Sequence, residues 1–163
     1  MMSHVASVDL VCQDVDAIEV ACAELSKQLG RKVTFRRGQK TWRYYGRWVN
    51  DYHGGDAAYK HGIDPKDYGK GEHAISIDGV EYEIGVVKNP NGPGYVLIYD
   101  FFGPGQQLAA LFGKGLERLK QEYGAQVAVK QLNALNRPGQ RPWQVSRTKL
   151  PCGTVKVRAA RMR

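Results

Sequence analysis

Cationic and aromatic side chains alternate from Arg36 to Trp48: Arg36, Arg37, Lys40, Trp42, Arg43, Tyr44, Tyr45, Arg47 and Trp48 follow one another with no acid between them. Cations can neutralise phosphates while exposed rings stack on unpaired bases, which is the chemistry of sequence-tolerant single-strand binders. The same residues also have a plainer use, in which the rings fold back on a sheet and the arginine stems cover them. No aromatic RNA-recognition signature accompanies the run.

A second basic set lies at the other end of the chain. Residues 1–100 hold 12 Lys or Arg against 14 Asp or Glu, whereas residues 101–163 hold 12 against 2, so the net +8 of the chain comes from its last third. Arg141, Arg147, Lys149, Lys156, Arg158 and Arg161 therefore join the first cluster as candidate phosphate contacts. Charge asymmetry of this kind points to a polyanionic partner, nucleic acid foremost, or to a solvated face.

Catalytic chemistry has weaker support. Asp51, His53, Asp56, His61, Asp64, Asp67, Glu72 and His73 are residue types that bind metals or move protons, but no spacing among them matches HExxH, an EF-hand or a zinc pattern. Gly103-Pro104-Gly105 fails as a phosphate loop and reads as a helix-entry turn, and no serine sits in a nucleophile elbow. Three cysteines without CxxC spacing indicate neither a disulfide framework nor a zinc site; Cys12 and Cys22 read as buried thiols. No catalytic residue, metal ligand or cofactor is assigned.

These residues need a scaffold, and residues 72–102 specify one. Apolar and polar residues alternate from Ala74 to Val87 on both sides of Asp78-Gly79, which predicts a hairpin with a two-residue turn. Tyr95 to Phe102 predicts a third strand, apolar at consecutive positions and so inside the sheet with a helix over at least one face. Before this meander come a strand at 4–13, a helix capped by Asp14 or Asp16 and ended by Gly30, and a short strand at 32–36. After it, Leu108, Leu111, Phe112, Leu116, Leu119 and Tyr123 predict one helix from about Gln106 to Tyr123, with residues 125–135 favoured as helix over strand. Residues 143–149 and 154–159 predict a closing β-hairpin.

The expected fold is α+β: one domain over 1–163, a two-layer sandwich of an antiparallel sheet with two main helices on one face and a C-terminal β-hairpin. The opening strand and helix leave one parallel pairing open. A long aromatic-rich insertion at about 38–71 and a basic C-terminal tail complete the chain. No apolar run is long enough to cross a bilayer and the first residues lack a signal-peptide layout, so the expectation is a cytoplasmic protein away from membranes.

Met2-Ser3-His4 before a strand and helix, Tyr82-Glu83-Ile84-Gly85, Gly94 to Phe101, and a helix ending at Gln121-Glu122-Tyr123 together resemble the hypothetical chloroplast reading frame thirty-five family of plastids, cyanobacteria and bacteriophages. The insertion and the basic tail look like its phage branch. The resemblance implies this kind of fold and no activity, and it adds a partner-protein role beside AAA-type ATPases. The functional expectation is a non-enzymatic binding protein that contacts nucleic acid. The alternatives are an adaptor or inhibitor acting through the aromatic loop, where Trp, Tyr and Arg suit an interface, and an enzyme using Asp51, His53 or His61. Oligomeric state is left open.

Overall fold

The computed structural model describes residues 5–44, 67–151 and 155–161, with side chains of 5–10 and of Arg161 outside the description. The strands β1 (Val5–Cys12), β2 (Val33–Arg36), β3 (His73–Ile77), β4 (Ile84–Lys88) and β5 (Tyr95–Asp100) form one sheet in the order β1-β5-β4-β3-β2, and every pair in it is antiparallel. Helix α1 (Val15–Leu29) carries the chain from β1 at one edge to β2 at the other. These two strands point the same way but never meet, so the parallel pairing that the opening permitted does not form. Asp14 caps α1 by accepting from the Ala17 N–H at 3.1 Å, and Gly30 ends it in the left-handed region at φ 62°.

Strand alternation divides the core into two. Val33, Phe35, Ile75, Ile77, Ile84, Val86, Leu97 and Tyr99 face the helices and pack on Ile18, Cys22 and Leu25 of α1 and on Leu108, Phe112, Leu119 and Tyr123. The opposite face presents Ala74, Val96 and Ile98, which are covered by Trp42, Tyr44 and Tyr68. The consecutive apolar residues of β5 thus have one physical cause: both faces of an interior strand are buried.

Two expectations need correction. Only Gly79 of the Asp78-Gly79 pair takes a positive φ, the arrangement of a type II turn rather than the doubly left-handed type I′ that continues twisted strands. The turn forms, with the Val80 N–H donating to the Ile77 carbonyl at 3.1 Å, but β4 begins only at Ile84, with Ile75 opposite Ile84 and Ala74 opposite Gly85. A two-residue shift from the expected register keeps every side chain on its face. The expected single helix at 106–123 is two: α2 (Gly105–Phe112) and α3 (Glu117–Asn133), separated at Gly113, where φ is 91°, and Leu116, where φ is 53°. The hydrophobic periodicity survives the break, because Leu116 and Leu119 reach the same core as Leu108 and Phe112. Residues 125–133 continue α3 as helix.

Strands β6 (Trp143–Lys149) and β7 (Val155–Arg161) form a separate antiparallel ribbon that packs on α3. The chain is therefore an α+β sandwich with a closing hairpin.

Trp42 fixes the second face. Its indole lies directly on Gly85, where an added Cβ would come within 2.5 Å of the ring. Replacing Gly85 by Ala forces that ring aside and should cost about 1–3 kcal/mol in chemical denaturation, and Trp42→Ala about 3–5 kcal/mol. With the ring gone the three nearest contacts of the added methyl go with it, so the double variant should cost less than the sum. Strict additivity would mean that the two residues do not touch.

Candidate nucleic-acid interface

The first basic cluster sits at the neck of the aromatic insertion. Residues 40–42 pair with 69–71, the Trp42 N–H donating to Gly69 O at 2.9 Å and the Gly71 N–H to Lys40 O at 2.8 Å. Trp42 is 2% exposed, its Nε1 donates to Lys70 O at 3.1 Å, and Tyr44 lies beside it with ring centroids 4.8 Å apart. Burial pushes the Tyr44 hydroxyl up to about 12, with the Asp100 charge acting in the same direction. Both rings fold back on the sheet, the plainer of the two uses open to them. A ring this deep cannot stack on a base without unpacking the second face.

The cations of this cluster face carboxylates. Glu83, with 4% of its side chain exposed, lies 3.4 Å from Arg43 Nε and 3.9 Å from Arg36 Nε, and accepts from the Arg43 N–H at 3.0 Å. Arg37 bridges Asp16 at 2.8 Å and Glu19 at 2.7 Å, and Lys40 meets Glu72 at 2.5 Å. Four cations are thus matched by Glu83, Asp16, Glu19 and Glu72, and the patch presents little net charge to a phosphate. Tyr45, Arg47 and Trp48 lie outside the described residues, as do Asp51, His53 and His61.

The second cluster is sorted by the ribbon. Trp143, Val145, Arg147, Val155, Val157 and Ala159 are half-buried, while Gln144, Ser146, Thr148, Lys156, Arg158 and Ala160 are exposed. Arg147 belongs to the inner set and does not reach the outer surface. It donates from both terminal nitrogens to Glu122 on α3, at 2.6 and 2.8 Å. Glu122 is 3% exposed and also accepts from Gln126 at 3.1 Å and Gln28 at 3.4 Å. Burial alone pushes the Glu122 carboxyl up, but the bidentate guanidinium and the two amides outweigh it and hold the group below the usual carboxylate range. Asn136 fastens the base of the ribbon, donating to Trp143 O and accepting from the Trp143 N–H.

What remains outside is basic and unopposed. Arg137, Arg141, Lys149, Lys156 and Arg158 are exposed and form no ion pair among the described residues, and residues 134–163 contain no acid. Cross-strand pairing sets Ser146 beside Arg158 and Thr148 beside Lys156. Arg161 closes β7, but the description stops at its backbone. Charge alone groups Arg147 with these residues; the sequence signal that sets it apart is Glu122, the last acid of the chain.

Among the described residues no cluster of three or more His, Cys, Asp or Glu could hold a metal ion, and no helix is long and apolar enough to cross a membrane. Cys12 and Cys22 are buried, and burial pushes both thiols up to about 12. His73 accepts from the Gly38 N–H at 2.8 Å, and burial followed by Arg37 pushes its pKa down. Comparison with known proteins finds no matching family model, no similar curated protein and no similar solved structure.

Removing Arg147 leaves a buried carboxylate with only two amide donors. Arg147→Ala should cost about 3 kcal/mol, the low end for breaking a buried pair, with amide exchange rising first in β6 and β7. Because the folded pKa of Glu122 is depressed, its contribution to stability is full above the unfolded value of about 4.3 and is lost as pH falls through the lower folded value. Glu122→Gln should flatten stability against pH in that acid window. An unchanged acid limb in this variant would contradict the assignment.

Proposed function

We propose that the protein is a small non-enzymatic binding protein that contacts nucleic acid through the outer face of the β6–β7 ribbon, which carries Lys156 and Arg158, and through the exposed cations at the ribbon's ends, Arg137, Arg141 and Lys149. The observation that carries this reading is the separation of charge: the Arg36 to Arg43 cluster is matched by carboxylates, whereas Arg137, Arg141, Lys149, Lys156 and Arg158 face solvent unpaired. Unpaired cations release counterions when they meet phosphates, and such contacts dominate nucleic-acid affinity. The reading draws nothing from the resemblance of residues 82–123 to the plastid and phage reading-frame family. That kinship and a phage origin are themselves proposals.

Fluorescence anisotropy with labelled nucleic acid across a salt series tests it. Five cations brought onto the polyanion predict a log–log slope of about −3.5 on single strands or about −4.5 on duplex. Neutralising Lys149, Lys156 and Arg158 together to Gln should reduce that slope by about two to three, while Lys40→Gln should leave it nearly unchanged. Absence of binding at low salt would overturn the reading. It would favour instead the adaptor or inhibitor role through the aromatic insertion, in which partner capture survives nuclease and high salt.

A further inference from the structure

We infer that the ligand of this face is duplex DNA, with the β6–β7 ribbon entering the major groove. The inference rests on the proposed nucleic-acid contact and specifies its form. The first ground is shape. Two seven-residue strands pair along their whole length, from Trp143 opposite Arg161 to Lys149 opposite Val155. That makes a ribbon roughly 23 Å long with strands about 4.8 Å apart, and the major groove of B-DNA, about 12 Å wide, admits a two-stranded ribbon. One face of the ribbon is seated on α3 and the other is open.

The second ground is chemistry. The open face carries Gln144, Ser146, Thr148, Lys156, Arg158 and Ala160. Arg reads the O6 and N7 of guanine, Gln the N6 and N7 of adenine, hydroxyls serve either, and small apolar groups meet the thymine methyl. Ser146 and Arg158 pair at the centre of the ribbon. Arg141 precedes β6 at one end and Lys149 closes it at the other, positions suited to the flanking phosphates. Central polar readers between flanking cations are the division of labour that base and phosphate contacts require.

The third ground discriminates among nucleic acids. Single strands and RNA loops are held by stacking on exposed rings, and the open face has none; Trp143, the ribbon's aromatic residue, is half-buried on the inner side. Double-stranded RNA closes its major groove to side chains. A face of alternating short polar groups and long cations suits neither.

The test compares four probes of one sequence: a plain DNA duplex, the same duplex with glucosylated 5-hydroxymethylcytosine filling the major groove, double-stranded RNA and single-stranded DNA. The plain duplex should bind tightest and glucosylation should weaken it by about tenfold or more, while distamycin in the minor groove should not compete. Arg158→Lys keeps the charge but loses the two-pronged fork, so it should preserve the salt slope and lower affinity for the plain duplex. Equal binding to plain and glucosylated duplex, displacement by distamycin, preference for RNA or single strands, or an Arg158→Lys variant indistinguishable from the parent would each overturn the groove assignment and leave the nucleic-acid reading standing. Failure to bind any of the four would overturn both.

Discussion

A carboxylate with almost no exposure stays ionised only where cations and donors replace the water it has lost. Glu122 meets that condition through Arg147, and the consequence extends beyond one ion pair. Side chains alternate along a strand, so drawing Arg147 inward sends Ser146 and Thr148 outward and, through the cross-strand register, Arg158 and Lys156 with them. One buried acid on α3 thus decides which half of the ribbon meets the helix and which half meets solvent. Trp143, Val145, Val155, Val157 and Ala159 add apolar contact on the same inner side.

Trp42 plays the corresponding part on the second face of the sheet. Its packing on Gly85, together with the pairing of 40–42 with 69–71 and the hold of Glu83 on Arg43, pins the two ends of the insertion against the sheet. Among the described residues there, Trp42 and Tyr44 pack on the sheet and Arg36, Arg37, Lys40 and Arg43 face carboxylates. Charge that sequence composition assigns to a ligand is matched internally by Glu83, Asp16, Glu19 and Glu72.

Much of the fold was legible because local signals agreed with it. Asp14 and Gly30 bound α1, the alternation in β3, β4 and β5 places them in one sheet, and 143–149 with 155–161 closes as a hairpin. The departures share a cause: backbone geometry at a few positions that composition does not set. The type of the Asp78-Gly79 turn follows from the φ of Asp78, which composition does not set, and the split at Gly113 follows from where Leu116 must reach the core. The candidate site was legible as charge and illegible as geometry. Nothing near Arg36, Arg43 or Arg147 in sequence announces that Glu83 and Glu122 lie buried against them, 40 to 47 and 25 residues away.

The most direct measurement is the amide chemical-shift map of the isotopically labelled protein as a short DNA duplex is added. The account predicts shifts concentrated at 144–149 and 155–160, with 36–44 and the helix-facing core unmoved. Shifts centred on 36–44 with a silent ribbon would contradict it, because the matched cluster at the neck, and not the unpaired face, would then be the surface that meets nucleic acid.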